Sequence, residues 1–532
     1  MTRKCCFALL MGLANLAPIA LGQSTPSVAP ERPATTIEIQ TADCQWTAGE
    51  RLTLDEDPQP TPDGEKALLV RVSGPASPKE PYAEKYSLTG RILDGRLPTD
   101  AQGAWIKKIS FWFKSDPVSD AALLLVVRKG YGDRVPLKPA GWRKVEISRW
   151  GPDRLLVHDL REMALRTAAV PDGNRFSLGP LRIELTTAAA EAARWKPANG
   201  GQFTINGLWW LQENQGAYRR LPLRPELQQQ VDARVWKYAD YPTGGRVRFR
   251  TDSATIGLRI DHGGDSLAWR ELSVMAMAGI ELYEGPPGQM VFRQISRPAS
   301  GSEPYEVRFG PFGERRQREF TLYLPMYAQL KSLDIELEPN ASLTPPTCFA
   351  IDKPVVFYGT SFIQGGCASR ASMNLPSLVG RRLGIDIINL GFAGDGRCEP
   401  AVAQLMSEID AACFVMGPIL NNLEVMRENY PRFVGQLRRA WPERPILLMS
   451  RLHSQGQAEP YEVNALVREV FDAMRAGGDR NVHWFDSFVL YKDGSEHPTV
   501  EGLHPSDLGF TMIAGALSPA LAKILKTPLR VE

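Results

Sequence analysis

The chain has 532 residues, and its 62 lysines and arginines nearly balance its 60 aspartates and glutamates, leaving a net charge of +2. Without a block of like charges it lacks the basic surface that a phosphate backbone requires, so nucleic acid is not an expected partner. The length exceeds what one hydrophobic core can hold, and 43% hydrophobic with 23% charged residues is typical of globular chains, so we expect two or three folded domains.

Residues 1–22 have the pattern of a secretory signal peptide. Two basic residues precede an apolar run over residues 5–21, and small residues close that run. A membrane anchor is the alternative, but Asn15 and Pro18 interrupt a run that is already short for a bilayer span. No later segment is apolar enough to cross a membrane. We therefore expect a secreted or periplasmic protein without stable membrane insertion.

After a linker over residues 23–36, residues 37–214 have the pattern of short strands separated by Gly and Pro turns. The clearest strand candidates, rich in β-branched and aromatic residues, are residues 108–113, 122–127 and 203–211. This pattern predicts a β-sandwich. Residues 140–147 resemble a strand of the jelly-roll carbohydrate-binding modules, so this region is a candidate for binding carbohydrate.

Trp209 and Trp210 lie in the last of these strand candidates. An aromatic ring on an exposed strand can stack on a sugar. Aromatic side chains more often fill a core, however, because they bury the most apolar area. We favour the core interpretation for this pair and leave sugar stacking as the alternative.

Residues 221–345 form a second β-rich stretch, for which we also predict a β-sandwich. Residues 246–250 alternate cleanly between polar and apolar, and residues 319–324 give another strand candidate. Pro345, Pro346 and Pro354 then mark the passage into a different pattern.

From residue 354 to residue 532, apolar strand candidates alternate with amphipathic helical patterns. The strand candidates are residues 355–358, 385–390, 413–416, 446–449 and 482–485. This alternation predicts a five-stranded parallel sheet with helices on both faces. Ligands of such sheets bind beyond the carboxyl ends of the strands, so we expect the chemistry in the loops that follow these strands.

Three of these loops carry residues with catalytic potential. The first places Ser361 on a tight Gly-rich turn between a strand and a helix, and the second contains Gly394, which has no Cβ to obstruct a backbone N–H. The third contains Asn421, whose side-chain amide can donate to an oxyanion. Each of these, taken alone, is an ordinary turn residue.

Near the C-terminus, Glu501 and His504 stand three residues apart on one loop before the last helical pattern. A serine hydroxyl is a poor nucleophile until a base takes its proton, and the base works best when a carboxylate fixes its tautomer. Among the six histidines, only His504 has an acid at this spacing on the expected sheet edge. His497, with Asp493 as its partner, is the nearest rival.

The blocks around Ser361, Gly394, Asn421 and His504 together resemble the four blocks of the SGNH (GDSL-type) hydrolases. Residues 353–399 resemble a bacterial subfamily whose esterase domain follows a small β-sandwich with a Gly-x-Asp-Leu-Tyr signature. Residues 279–283 of this chain are Gly-Ile-Glu-Leu-Tyr, with Glu in place of Asp. The resemblance begins at about residue 221 and implies a flavodoxin-like catalytic domain over residues 354–532.

The resemblance implies Ser361 as nucleophile and His504 as general base, with an oxyanion hole formed by the N–H groups of Ser361 and Gly394 and the amide of Asn421. Two positions depart from the family pattern. Glu501 stands where the family has Asp, and the third block is irregular, so Asn422 is an alternative to Asn421. No metal or cofactor is required, because oxyanion donors supply the electrostatic stabilisation.

Five cysteines follow the signal peptide, so at least one thiol stays unpaired within a monomer. Cys367 and Cys398 each follow a Gly-rich loop of the predicted active site. A disulfide between them is one alternative, and independent buried thiols are the other, which we favour because free Cys is among the most buried residue types.

Three functions are compatible with these residues. The leading one is an exported esterase that removes acetyl or similar small acyl groups from a carbohydrate, with the preceding sandwiches helping to hold the glycan. The second is an acyltransferase that uses the same residues to pass the acyl group to a sugar or another alcohol. The third is a glycan-binding protein with a decayed hydrolase site, which the departures at Glu501 and in the third block keep open.

Overall fold

The structure is a computed structural model, and it divides into two compact units, Met1–Ala190 and Glu191–Glu532. The predicted signal peptide, almost all of the linker, and the rival pair His497 and Asp493 lie outside the residues that the structure describes. The described residues are 36–48, 52–73, 87–92, 105–116, 122–128, 131–136, 141–147, 162–166, 172–186, 194–264, 272–298, 304–452, 461–491 and 498–529.

The first unit contains two antiparallel sheets. One has the strand order β3-β4-β11-β6-β9, with β1 also paired to β11, and the other has the order β2-β5-β10-β7-β8. The strands are β1 (Thr36–Ile39), β2 (Cys44–Ala48), β3 (Leu52–Glu56), β4 (Leu68–Val72), β5 (Ser87–Ile92), β6 (Trp105–Asp116), β7 (Ala122–Arg128), β8 (Tyr131–Pro136), β9 (Arg143–Ile147), β10 (Glu162–Arg166) and β11 (Arg175–Thr186).

Alternation along β6 explains why this segment is a strand. Ile109, Phe111 and Phe113 are each at most 2% exposed, whereas Trp112 and Lys114 between and beside them are partly exposed. Because successive side chains of a strand point to opposite faces, this spacing buries one face of the sheet and leaves the other open.

The second unit begins with the middle domain, residues 194–350, which has two antiparallel sheets. Their orders are β12-β20-β15-β18 and β13-β14-β19-β16-β17, with β21 also paired to β14. The strands are β12 (Trp195–Pro197), β13 (Thr204–Asn206), β14 (Arg246–Thr251), β15 (Ile256–Asp261), β16 (Glu281–Glu284), β17 (Val291–Ile295), β18 (Tyr305–Phe309), β19 (Arg318–Tyr323), β20 (Ser332–Leu337) and β21 (Leu343–Thr344).

Side chains from both sheets of the middle domain form one hydrophobic core. Phe249 and Leu322 enter it from one sheet, and Leu258 and Ile335 enter it from the other, all fully buried. The described residues of the domain also include three short helices: α1 (Leu227–Gln230), α2 (Ala233–Tyr238) and α3 (Val274–Ala278).

The middle domain begins earlier than the sequence predicted. β12 pairs with β20 and β13 pairs with β14, so residues 194–214 belong to the middle domain and not to the sheets of the first unit. The strand predicted over residues 203–211 is also too long, because Gly207 turns the chain at a φ of +81°. Trp210 is buried, as expected for a core residue, but Trp209 is 41% exposed.

The C-terminal domain, residues 352–529, contains the predicted five-stranded parallel sheet. Its order is β23-β22-β24-β25-β26, so the second strand in the chain lies outside the first. The strands are β22 (Val355–Gly359), β23 (Ile387–Gly391), β24 (Cys413–Met416), β25 (Ile446–Met449) and β26 (Val482–Phe485). The topology reverses direction at β22, which places the loops after β22 and its neighbours at the crevice where doubly wound sheets bind ligands.

Six helices of this domain lie in the described residues. α5 and α9 pack together, whereas α6, α7 and α8 form a separate packed group. Right-handed crossovers on either side of β22 put these two groups on opposite faces of the sheet. The helices are α4 (Ser361–Gln364), α5 (Leu375–Leu383), α6 (Pro400–Ser407), α7 (Leu423–Ala440), α8 (Glu462–Ala476) and α9 (Asp507–Leu525).

By length and composition alone, α9 is long and apolar enough to cross a membrane. The sequence analysis expected no such segment after the signal peptide, so this expectation was wrong by that measure. The apolar residues of α9 have a core role in this fold, because Phe510, Ile513, Leu517 and Leu521 are buried in the core of the C-terminal domain.

Candidate active site

Ser361 is the first residue of α4 and directly follows the buried strand β22 and Thr360. Two glycines allow this short helix to sit close to the neighbouring strand ends. A Cβ at Gly391 would lie 2.2 Å from the backbone nitrogen of Gln364, and one at Gly417 would lie 2.4 Å from the Ile363 side chain. The close approach holds Ser361 at the carboxyl edge of the sheet, where the sequence predicted it.

His504 lies on a tight loop that brings its ring to Ser361. Thr499 and Pro505 form an antiparallel bridge, and the N–H of Val500 donates to the carbonyl of His504 over 2.9 Å. The Nε2 atom of His504 is 2.8 Å from the Oγ atom of Ser361. The side chain of His504 is 24% exposed, so the pair remains accessible to a substrate.

Glu501 completes a chain of hydrogen bonds with these two residues. Its Oε1 atom lies 2.5 Å from Nδ1 of His504 and also accepts the backbone N–H of His504 over 2.9 Å. Burial acts to raise the pKa of Glu501, but these two hydrogen bonds outweigh it and hold the pKa below its usual range. An ionised Glu501 fixes the His504 tautomer that leaves Nε2 free to accept the proton of Ser361.

Three residues around the Ser361–His504 pair were missed by the sequence analysis as site residues. The ring of Phe362 stacks on the imidazole at a centroid distance of 5.5 Å, and the buried guanidinium of Arg451 lies 5.3 Å from the centre of the Phe362 ring. A Cβ at Gly366 would lie 3.0 Å from the His504 ring, so the glycine leaves room for the imidazole. Adjacency of Phe362 to Ser361 was the available signal for the first of these.

Cys367 is the fourth neighbour that the sequence left without a site role. Its thiol donates to Oε2 of Glu501 over 3.4 Å, so both carboxylate oxygens of Glu501 have partners. Ligand atoms of Cys367, Glu501 and His504 all lie within 4.8 Å of one another, a set of donors that could hold a metal ion. The hydrogen bonds that join them account for the cluster without one.

Cys367 and Cys398 do not form the disulfide that the sequence left open, and both are buried, as the favoured alternative predicted. Cys44 and Cys413 are also buried, whereas Cys348 is exposed. Burial raises the pKa of the Cys398 thiol well above its usual value, which makes this thiol unreactive.

Gly394 lies on the exposed turn after β23, where its φ of +72° is one that L side chains rarely adopt. A Cβ there would lie 2.7 Å from the guanidinium of Arg234, which comes from α2 of the middle domain. The next residue, Asp395, is fully buried and ion-paired with Arg397 at 2.8 Å. The turn is therefore fixed by charged neighbours on both sides.

Asn421 and Asn422 have different structural positions. Asn422 is the N-cap of α7, and its side-chain oxygen accepts the N–H of Val425 over 3.1 Å. Asn421 is exposed on the loop just before it. Because capping explains Asn422, Asn421 is the better candidate for the third oxyanion donor. In the described part of the chain, neither Asn421 nor Gly394 hydrogen-bonds to Ser361.

Two family models match the chain. Residues 352–522 match the GDSL-like lipase/acylhydrolase family, and residues 193–343 match the GxDLY N-terminus of SGNH-hydrolase-type esterases. The second match begins at the same place as the middle domain of the structure. No curated protein matches the sequence at a significant level.

Several solved structures are similar to more than half of this chain. A GDSL-like lipase structure from Bacteroides ovatus is 25% identical, with a TM-score of 0.55, over 63% of this chain and 99% of that one. The salicylyl-acyltransferase SsfX3 from a tetracycline biosynthetic pathway is 21% identical, with a TM-score of 0.51, over 63% of this chain and 98% of that one. A family two carbohydrate esterase from Clostridium thermocellum is 12% identical, with a TM-score of 0.41, over 53% of this chain and 93% of that one.

Proposed function

We propose that this chain is an SGNH (GDSL-type) hydrolase, as its two family matches indicate, and that it acts as a serine esterase that removes small acyl groups, acetyl above all, from a carbohydrate. The observation that carries the proposal is the continuous chain of hydrogen bonds from Ser361 through His504 to Glu501. Folding does not require these three side chains to be arranged in this way at an accessible sheet edge, whereas acyl transfer does.

In the proposed reaction, Oγ of Ser361 attacks the ester carbonyl while Nε2 of His504 takes the hydroxyl proton. The tetrahedral intermediate then expels the alcohol, which leaves with the proton from His504, and the acyl group stays on Ser361. Water, deprotonated by His504, attacks this acyl-enzyme. The second tetrahedral intermediate releases the carboxylic acid, and Oγ of Ser361 leaves with the proton from His504. Glu501 stays ionised throughout and stabilises the imidazolium that forms in each half-reaction.

The oxyanion of each intermediate would accept hydrogen bonds from the N–H groups of Ser361 and Gly394 and from the amide of Asn421. Donors of this kind each contribute about 3 kcal/mol to transition-state stabilisation, because they are already oriented before charge develops. Gly394 and Asn421 are both exposed, which supports this role because a substrate can reach them.

The carbohydrate part of the proposal rests on the first unit. Its two antiparallel sheets lie outside both family matches, and we propose that they form a jelly-roll-like β-sandwich that binds a glycan. An exported location is consistent with this substrate class, because acylated polysaccharides occur outside the cytoplasm. The signal-peptide pattern of residues 1–22 supports a secreted or periplasmic location.

The purified mature chain tests the proposal with nitrophenyl acetate and with a panel of acetylated polysaccharides, each beside Ser361→Ala. Release of acetate that requires Ser361 supports the esterase. Acyl transfer to an added alcohol at a rate above hydrolysis would instead favour the acyltransferase. Glycan binding without any ester turnover would favour a decayed hydrolase site.

A further inference from the structure

Glu281 is a buried acid of the middle domain whose carboxylate contacts residues of the C-terminal domain. It lies in β16 and is 0% exposed. Its carboxylate accepts the backbone N–H of Ser372 over 2.7 Å and the hydroxyl of Ser372 over 2.5 Å, and its Oε2 atom lies 2.9 Å from Nε of Arg370. A buried carboxylate is tolerated only when it is paired and hydrogen-bonded in this way.

Tyr283 and Arg381 add to the same contact. The hydroxyl of Tyr283 is 2.8 Å from the hydroxyl of Ser372, and Arg381 donates to the carbonyl of Ser372 over 2.6 Å. The guanidinium of Arg381 also lies over the Tyr283 ring, 4.9 Å from its centre. The backbone and side chain of Ser372 are therefore held by both domains at once.

Residues 365–372, which we term the Cys367 loop, run from the end of α4 to this contact. Between its two ends, this loop contacts the segment that carries His504. Cys367 donates to Glu501, and Ser369 donates its N–H over 2.8 Å and its hydroxyl over 2.5 Å to Asp507. The loop thus connects Glu281 to Glu501 and Asp507, which lie before and after His504 in the chain.

The backbone of Cys367 is strained. Its φ is +69°, a left-handed conformation that a residue with a Cβ adopts only when its surroundings impose it. A turn closed by the N–H of Ala368 and the carbonyl of Gly365, over 3.1 Å, spans Cys367. The contacts at Ser369, Arg370 and Ser372 hold the rest of the loop against this turn. A relaxed Cys367 would move its thiol away from Glu501, because the direction of the side chain follows from this φ.

We propose that Glu281 and Cys367 are positioning residues for Glu501: Glu281 fixes the Cys367 loop, and the thiol of Cys367 holds the free oxygen of Glu501 so that the other oxygen faces His504. Glu has one more methylene than the Asp of related enzymes and thus one more torsion to fix. The Cys367 hydrogen bond restricts that torsion. This inference rests on the proposed function.

The first test compares Cys367→Ala with Cys367→Ser in the full chain, on nitrophenyl acetate. Loss of one weak hydrogen bond should lower kcat about fivefold in Cys367→Ala with KM unchanged. The acid limb of the pH–kcat profile should move to higher pH, because loss of the Cys367 hydrogen bond raises the pKa of Glu501 toward its usual range and the carboxylate then protonates sooner as the pH falls. Cys367→Ser, which keeps a donor, should restore most of kcat and the profile.

The second test is a double-mutant cycle between Glu281→Gln and Cys367→Ala. Glu281→Gln should lower kcat several-fold on its own and add little in the Cys367→Ala background, because both changes act through Glu501. Glu284→Gln is the matched control: Glu284 lies on the same strand, and its ion pair at 2.9 Å is with Arg293 of the middle domain. It should keep wild-type kcat.

Additive effects of the two changes would overturn the proposal, as would wild-type kcat in Cys367→Ala or an equal loss in Cys367→Ser. If Glu281→Gln does not fold, the Ala and Ser variants of Cys367 decide the result through kcat and the pH profile. Failure of the proposed function is distinct, because the wild-type chain would then show no turnover that depends on Ser361.

Discussion

The hydroxyl of Ser361 faces His504, and it fills no part of the core, so its removal opens no cavity. Ser361→Ala should therefore abolish ester hydrolysis while the melting temperature stays within about 2 °C of the wild type. Turnover of nitrophenyl acetate and a thermal melt check the two halves of this expectation. Ser407→Ala removes a hydroxyl that bonds its own helix at Ala403, and it should keep wild-type activity.

Glu501 gives a sharper test of the triad. Glu501→Gln should lower kcat by about 10²-fold or more, because the amide can present an N–H to Nδ1 and favour the wrong tautomer of His504. Glu501→Asp keeps a carboxylate and should retain kcat within about tenfold of the wild type. Near-normal kcat in both Glu501→Gln and Glu501→Ala would mean that Ser361 and His504 work as a dyad.

The two asparagines of the third block should respond differently. Asn421→Ala should lower kcat by about 10²- to 10³-fold, the usual effect of losing one oxyanion donor. Asn422→Ala removes the N-cap of α7 and should cost about 1 kcal/mol of unfolding free energy with kcat retained. Kinetics and denaturant unfolding of both variants would reveal the opposite assignment if Asn422→Ala proves the damaging change.

At this scale the sequence predicted Ser361, His504 and Glu501 because each stands at a fixed offset from a recognisable strand end or helix start. The sequence assigned no role in the active site to Cys367 or Arg451. Cys367 meets Glu501 only because two loops far apart in the chain fold against each other. Arg451 reaches the site through Phe362 in the same way. Such contacts leave no periodic signal in a sequence.

Among the elements, the five parallel strands were predictable because short apolar runs that alternate with amphipathic helices are typical of a sheet buried on both faces. The ends of these strands were less predictable, since β23 begins at Ile387 and not at residue 385. The strand predicted over residues 203–211 failed for a physical reason. A buried turn and a buried strand both require apolar side chains, so Trp210 and Leu211 did not distinguish them.

The contact between the middle and C-terminal domains depends on a buried cation. Arg246 of β14 donates to Asp386 and, over 2.8 Å, to the carbonyl of Ile387 at the start of β23. Arg246→Ala should lower the unfolding free energy by about 3 kcal/mol, because Asp386 would keep its charge without this partner. Denaturant unfolding measures this change.

Arg432→Ala is the control for this change. Arg432 pairs with Glu428 on the exposed face of α7, where both side chains are more than half exposed. Such pairs contribute about 0.5 kcal/mol or less, so this variant should unfold like the wild type. Equal losses in Arg246→Ala and Arg432→Ala would show that the domain contact does not depend on Arg246.

For the whole molecule, the order of the domains could be predicted, but the boundary between the first unit and the middle domain could not. Both regions consist of antiparallel strands with the same alternation, and turns of the same composition connect them. The true boundary is set by pairing of β12 with β20 and of β13 with β14. These pairings join segments that are distant in the chain, so local sequence patterns do not indicate them.

The corrected boundary changes what truncation should do. A chain that begins at residue 191 keeps the whole second unit, including β12 and β13. It should hydrolyse a small soluble ester with kcat/KM close to that of the full chain and act less well on polymeric substrate, because only the proposed glycan-binding region is lost. Loss of small-ester activity from this folded truncation would mean that the first unit helps to build the site.

A chain that begins at residue 221 should behave differently, because it lacks Arg220. This residue is 1% exposed and donates to the carbonyls of Asn389 and Gly391, over 3.2 Å and 2.5 Å, and to the carbonyl of Tyr238 over 2.6 Å. Arg220 therefore links the end of β23 to α2 of the middle domain. The turn at Gly394 begins at this end of β23. Without Arg220, the carbonyls of Asn389 and Gly391 lose this donor, each at a cost of about 1–3 kcal/mol. The carbonyl of Tyr238 keeps the N–H of Tyr241 over 3.1 Å. We expect this second truncation to melt well below the first and to lose activity on nitrophenyl acetate, as measured by paired thermal melts and rates. Equal rates in the two truncations would show that the turn at Gly394 is held without Arg220.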